Sequence, residues 1–195
     1  MVDRRAFFQQ LLGNSRRLIA SVHPLGFVHI SLNVFVADLP EGLDYRLHLW
    51  PDRTRRIDEL GGLHDHAWTL KSCVLLGGLA DVTYHAHPSQ DGEFNVRQVI
   101  YGQKNMFSDG GRAELVEVKR RTITAGQVYT VPARVIHQTE AVRTPAITLL
   151  VTEKDDHDKG PLVYSTAIAA SGTAVRETLA APEFDELLLR FEALL

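Results

Sequence analysis

From residue 27 onward the chain is a succession of short runs rich in β-branched and aromatic residues, each stopped by glycine or proline. FVHISLNVFVA (27–37) reads as strand, Leu39-Pro40-Glu41-Gly42 as a turn, and YRLHLW (45–50) alternates again. Strand-like segments follow at 71–76, 80–85, 94–101, 113–123, 127–131, 134–140 and 145–152. The breaks between them carry turn chemistry: Gly61-Gly62, Gly77-Gly78, Pro88 to Gly92, Asp109-Gly110-Gly111 and Ala125-Gly126. Parallel pairing needs a crossover of a dozen or more residues, and no helical stretch separates these segments. The pattern therefore predicts a mainly β domain, an antiparallel sandwich or barrel.

Helical periodicity is confined to the two ends. Residues 4–21 space Phe7, Phe8, Leu11, Leu12, Leu18 and Ile19 as one face of an amphipathic helix, with a candidate break at Gly13-Asn14. Residues 174–195 repeat the pattern through Phe184, Leu187, Leu188, Phe191, Leu194 and Leu195, with Pro182 suited to a helix start. That stripe must be covered, either by the β domain or by a second copy of the chain. At 195 residues one domain suffices. The expectation is a single domain over 1–195: an N-terminal helix within 1–22, a β-barrel over 26–165 and a C-terminal helix over 174–195.

A net charge of −3 gives no basic face for nucleic acid or an anionic membrane. Lys119-Arg120-Arg121 reads as the solvated end of a strand, and Arg53 to Arg56 as a polar loop. The single cysteine, Cys73, excludes an internal disulfide and fits a reducing compartment. The first residues lack the unbroken apolar run of a signal peptide, and no later stretch approaches a membrane span. A cytoplasmic location is expected.

Nine histidines are present, and three stand apart by context. In GGLHDHAW, His64 and His66 are two residues apart, so on an extended chain both rings project from one face. In GQVYTVPARVIHQTE, His137 lies near the start of another strand. Taken alone, an HxH pair is as readily a surface or hydrogen-bonded pair. Joined by a distant histidine on a neighbouring strand, it becomes a three-nitrogen metal site with the far side of the ion open.

The two histidine segments resemble the two motifs of the cupin superfamily. His64-x-His66 is followed after four residues by Lys71 and after six more by Gly78, while Gly126, five residues, Pro132 and then His137 keep the spacing of the second motif. The resemblance covers roughly residues 45–152. It implies a double-stranded β-helix (jelly-roll) barrel with His64, His66 and His137 as ligands of one divalent metal. The chain departs from the pattern at the usual glutamate ligand (Lys71), the motif glycine (Arg134), the final asparagine (Ala141) and the leading glycine, displaced to Gly61 or Gly62. The implied site is thus three neutral nitrogens without a carboxylate, which leaves the ion's charge uncompensated and favours an anionic or chelating small-molecule substrate. It is similar in outline to the three-histidine iron enzymes of the thiol and diketone dioxygenase type. The His and Tyr of the thiol dioxygenase strand are replaced here, its positions falling on Thr148, Leu150 and Thr152. Fe(II) is the implied metal, with Zn, Mn or Ni as alternatives. Pairing into a homodimer is common among such barrels.

Other residues carry narrower expectations. Lys71 is either a cation beside the metal or an outward-facing strand residue, and Cys73 shares its strand face. Arg46, His48 and Trp50 share one face of their strand. Turned inward they form a substrate-binding wall; turned outward they leave Leu47 and Leu49 inside. Arg134 is placed to capture a substrate carboxylate, or to form a rim salt bridge. Tyr129 is placed to hydrogen-bond a metal-bound species, or simply to pack. Gln138 and Glu140 flank the third histidine as candidate supports. His85 and His87 form a second HxH that runs into a turn and reads as surface. His23, His29 and His157 take no role. The functional expectation is a mononuclear non-haem Fe(II) oxygenase with Lys71, Tyr129 and Arg134 as catalytic candidates. The alternatives are a non-redox isomerase, lyase or hydrolase, or a ligand-binding barrel.

Overall fold

The computed structural model describes residues 3–23, 26–35, 40, 42–52, 62–100, 106–154, 160–166 and 177–195. Val36 and Ala37, Leu39 and Glu41 of the expected turn, Arg53 to Arg56, Gly61, Tyr101, His157 and residues 174–176 lie outside them.

The first helix, α1 (Arg4–Gly13), is capped by Asp3, whose carboxylate accepts from the Arg5 and Ala6 backbone N–H groups at 3.1 Å. It buries Phe8 and Leu11 and ends at Gly13-Asn14. The periodicity beyond that point does not continue the helix. A single 3-10 turn (Ser15–Arg17) intervenes, and Ala20–Val22 joins the sheet as β1 with Ile19 exposed. The strands that follow are β2 (Val28–Ser31), β3 (Leu43–Trp50), β4 (Leu63–His64), β5 (Trp68–Pro88), β6 (Phe94–Ile100), β7 (Met106–Thr124), β8 (Val128–Val131), β9 (Ile136–Lys154) and β10 (Leu162–Ser165). Residues 33–35 form a 3-10 turn, so the run expected as strand from 27 ends at Ser31. The C-terminal helix α2 (Ala181–Glu192) starts with Pro182 in its first turn. Residues 177–180 before it are non-helical, with Thr178 bridged to Ser21 of β1.

All strands pair antiparallel in one large sheet, in the order β1-β2-β3-β9-β4-β10-β6-β7-β5-β8. β9 pairs with β5 as well, so the pairings β9–β4–β10–β6–β7–β5–β9 return to their start. Two pairs of expected short strands are in fact single long ones, β5 and β9. Gly77-Gly78 is a bulge in β5 rather than a turn: the β5/β9 register shifts between Val74 and Leu79. Gly77 sits at φ +74°, and a Cβ there would collide with the carbonyl oxygens of Arg143 and Pro145. Asp109-Gly110-Gly111 likewise lies within β7.

Two apolar clusters flank the β3–β9 pair. Leu47, Leu49 and Ile147 pack with Ile30 beneath Phe8 and Leu11 of α1 and Phe184, Leu188 and Phe191 of α2. Phe184, Leu188 and Phe191 of the expected stripe are therefore covered by the sheet and by α1, while Leu194, beyond the helix, is exposed. Fully burying one such leucine contributes about 1.5–3 kcal/mol. The second cluster gathers Trp50, Leu70, Val74, Leu79, Ile123, Tyr129, Val131 and Leu150. Among the described residues no helix is long and apolar enough to cross a membrane.

Candidate metal centre

β4 is only two residues long, yet it puts His64 directly opposite His137 of β9. On its other side His137 faces Thr83 of β5, so this histidine sits mid-sheet and is buried. His66 follows one residue beyond His64's neighbour Asp65, and the intervening side chain turns the opposite way. Asp65 is buried, its Oδ1 accepts from the Leu162 N–H at 2.6 Å, and its own N–H donates to Leu162 O at 3.0 Å. This double bond to β10 holds the HDH stretch extended, which is what aims both imidazoles the same way. Burial pushes the Asp65 carboxyl above the usual carboxylate range, against the opposing pull of the Leu162 N–H and Arg134.

The three rings converge. Their centroids are 4.7 Å (His64–His66), 5.0 Å (His64–His137) and 5.1 Å (His66–His137) apart. One nitrogen from each lies within 4.8 Å of the other two, close enough for a single ion to reach all three after small ring rotations. Burial, together with the neighbouring His64 and His137 and the Arg46 and His23 side chains, holds His66 well below the usual histidine range. It is therefore neutral near pH 7 and offers a lone pair.

His137 is oriented by a group the sequence reading passed over. Its Nδ1 lies 2.8 Å from Oδ1 of Asp81, a fully buried carboxylate on β5. Asp81 Oδ2 also accepts from Arg121 of β7, 2.9 Å from Nε and 2.7 Å from Nη2. Burial alone would raise the Asp81 carboxyl, but the His137 and Arg121 bonds outweigh it and the carboxyl is held below its ordinary range. With Nδ1 committed to Asp81, Nε2 of His137 is left buried without a hydrogen-bond partner. A buried nitrogen so orphaned, beside two more imidazoles, fits a divalent metal and the acidic support that metal-bound histidines usually have. These residues could hold such an ion.

The remaining candidates divide clearly. Arg46, His48 and Trp50 face the side of the second cluster, while Leu47 and Leu49 are buried under the helices, so neither set is exposed to solvent as the outward alternative supposed. Trp50 and His48 both pack on Phe27 at 4.3 Å, with His23 stacked on its other side at 4.2 Å and His29 5.5 Å from His48. His23 and His29, given no role from sequence, thus join this wall. Arg46 pairs with Asp44 and lies 5.1 Å over Trp68, which in turn stacks on His66 at 5.3 Å.

Lys71 is exposed, on the face of β5 opposite Leu70, Ser72 and Val74. Alternation puts Trp68 on that buried face, so Lys71 points away from the side that meets His66. Cys73 shares the Lys71 face and does not line the histidine side; its Sγ lies 3.9 Å from Val74 O. Tyr129 is buried in the second cluster beneath the Arg121 guanidinium at 5.1 Å, its hydroxyl pushed up to about 12 by burial. It packs behind the Asp81–Arg121 pair. Arg134 is a tether: its backbone N–H donates to His66 O at 2.9 Å and its Nη1 to Gly160 O at 3.0 Å, with Asp65 Oδ2 at 3.7 Å. It does so at φ +63°, in the left-handed region that favours glycine. Glu140 pairs with Arg120 on the opposite face from His137, as alternation places Gln138 too. His85 and His87 are exposed.

Sequence reasoning missed Asp81, Arg121, Asp65 and Trp68. A carboxylate inside the apolar run Leu79-Ala80-Asp81-Val82 was the one available signal for the first.

No protein-family model matches the chain, and no curated protein matches it in sequence. Among solved structures it is similar to an oxalate decarboxylase variant from Bacillus subtilis (TM-score 0.40, 14% identity, 71% of this chain and 28% of that one). It is also similar to hydroxypropylphosphonic acid epoxidase from S. wedmorenis (TM-score 0.37, 14% identity, 66% and 50%). A third is a cupin-like protein from Thermotoga maritima (TM-score 0.30, 14% identity, 83% and 84%). The chain spans half or less of the length of the first two.

Proposed function

We propose that this chain is a cupin-type jelly-roll barrel and a mononuclear non-haem Fe(II) oxygenase, its ion held by His64, His66 and His137. The barrel reading is supported by the circuit of strand pairings that returns to β9. The metal reading is carried by one observation: three converging imidazoles, one of which has its inner nitrogen buried and unpartnered. Bound there, iron would supply Lewis acidity and electrons for dioxygen chemistry.

The protein's own residues set what else can enter. Three neutral nitrogens cancel none of the ion's charge, so the open side favours a small anionic or chelating organic substrate. Arg46, near enough to act on His66 electrostatically, brings a guanidinium to the same side, its charge balanced by Asp44. Trp68, Phe27 and Trp50 supply apolar wall and exclude water.

A second reading is a non-redox isomerase, lyase or hydrolase using Zn, Mn or Ni. It is favoured by His23 and His48, which flank Phe27 and offer proton-transfer groups on the metal-facing side. The two separate in one experiment. The purified chain is assayed for bound metal, loaded anaerobically with Fe(II), and followed for oxygen uptake against small thiols, diketones and carboxylates. The expected result is substrate-dependent uptake that His64→Ala abolishes. Uptake indifferent to that substitution overturns the proposal, and stoichiometric Zn without oxygen use selects the second reading.

A further inference from the structure

The geometry points to Asp81 and Arg121 as a positioning pair that dictates which ring nitrogen of His137 is presented to the ion. The inference rests on the metal reading above. It concerns the protonation pattern behind the ligand rather than the ligand itself.

An ionised carboxylate can only accept hydrogen bonds, and a guanidinium can only donate them. Asp81 Oδ2 takes both Nε and Nη2 of Arg121, and Oδ1 faces His137 Nδ1 at 2.8 Å. Nδ1 must therefore carry a proton, and in the neutral ring that leaves the lone pair on Nε2. Arg121 cannot turn away easily. Its Nη2 also donates to Thr130 O at 2.8 Å, and its plane lies over the Tyr129 ring. The whole assembly spans three adjoining strands, β7, β5 and β9, with Arg121 and Asp81 directly opposite each other in the ladder.

The consequence is specific. In Asp81→Asn the new amide has one oxygen and one NH2 to place. Two fixed donors of Arg121 demand the oxygen, which leaves the NH2 against His137 Nδ1. That nitrogen must then accept, and the ring proton moves to Nε2, the atom needed by the ion. Removing the donors with Arg121→Met frees the amide to turn its oxygen back toward His137. The pair thus predicts damage from Asp81→Asn, little change of tautomer from Arg121→Met, and recovery in the double variant. A packing role predicts the double variant to be the worst of the three.

The test uses metal-free protein with 15N-labelled histidine, where long-range 1H–15N correlations separate the two tautomers, and Co(II) titration followed by visible absorption. Expected are Nδ1–H for His137 in the parent and in Arg121→Met, Nε2–H in Asp81→Asn, and return to Nδ1–H in the double variant. Co(II) affinity should fall about 10–100-fold in Asp81→Asn and recover with the tautomer. If Asp81→Asn does not fold, Asp81→Ala replaces it and should give mixed tautomers. An Nδ1–H tautomer that persists in Asp81→Asn or Asp81→Ala, or a double variant that stays Nε2–H, overturns the inference. Failure of the parent itself to take up Co(II) overturns the metal reading instead, while the tautomer pattern still decides the role of the pair.

Discussion

His66 shows how one residue's surroundings set its chemistry. Burial and the nearby His64, His137, Arg46 and His23 side chains all disfavour its charged form, so in the folded, metal-free chain it titrates well below its ordinary value of 6.5. The unfolded chain takes up a proton near 6.5 that the folded chain refuses. Stability contributed by this group is therefore intact above that pH and falls as the pH drops from 6.5 toward the folded value. His66→Gln has no such proton to refuse. In urea melts at pH 7.5 and 5.5 the metal-free parent should lose more of its midpoint than His66→Gln, and equal losses would refute the assignment. At this scale the three ligand candidates were legible, because histidine two apart with a distant partner is a spacing signal. Asp81 was not, because its role exists only through the β5–β9 and β5–β7 pairings that bring His137 and Arg121 to it. Arg121 was misread for the same reason: within its sequence neighbourhood it is one of three consecutive basic residues, and only the ladder opposite Asp81 gives it a buried partner. Lys71 illustrates the converse, since motif spacing put it at a ligand position while strand alternation turned it to solvent.

Among the elements, β5 and β9 carry the main departure from the sequence reading. Glycine pairs were read as turns, yet Gly77-Gly78 lets β5 run on through a bulge, because glycine serves equally where a strand must bend against a neighbouring backbone. Periodicity cannot separate the two uses; only the carbonyls of Arg143 and Pro145 pressing on Gly77 do. Gly77→Ala must adopt φ +74° and displace those carbonyls, so it should cost at least about 2 kcal/mol. Gly126→Ala is the informative comparison, since its φ is +90° but a Cβ there would meet no atom within 4 Å. Denaturant unfolding should find Gly77→Ala the more destabilised, and equal losses would mean that backbone conformation alone matters. Arg134 makes a related point. This non-glycine residue holds a left-handed conformation, sustained by bonds from its backbone N–H to His66 O and from its side chain to Gly160 O.

For the molecule as a whole, the proposed ion and the terminal helices stabilise different parts of one sheet. His64 belongs to β4, a strand of two residues with few ladder bonds of its own, and the ion would bind it to β9 across the pair already facing His137. Metal binds the folded chain with this site formed and the unfolded chain without it. At a hundredfold excess over Kd that difference is worth about 2.7 kcal/mol. For a chain of this length it corresponds to a rise in Tm of roughly 5–11 °C. Leu188 lies in the helix-covered cluster, which includes none of the three histidines. Leu188→Ala should cost about 2–5 kcal/mol by leaving a cavity between α2 and the sheet. Because the two sites share no cluster, their effects should add. Calorimetry with and without Zn(II) should therefore find Leu188→Ala lower in Tm but still raised by metal as much as the parent, and His64→Ala with little or no rise. A metal-induced rise that survives His64→Ala would move the binding site elsewhere, and one that vanishes in Leu188→Ala would mean that the helices hold the histidines in place.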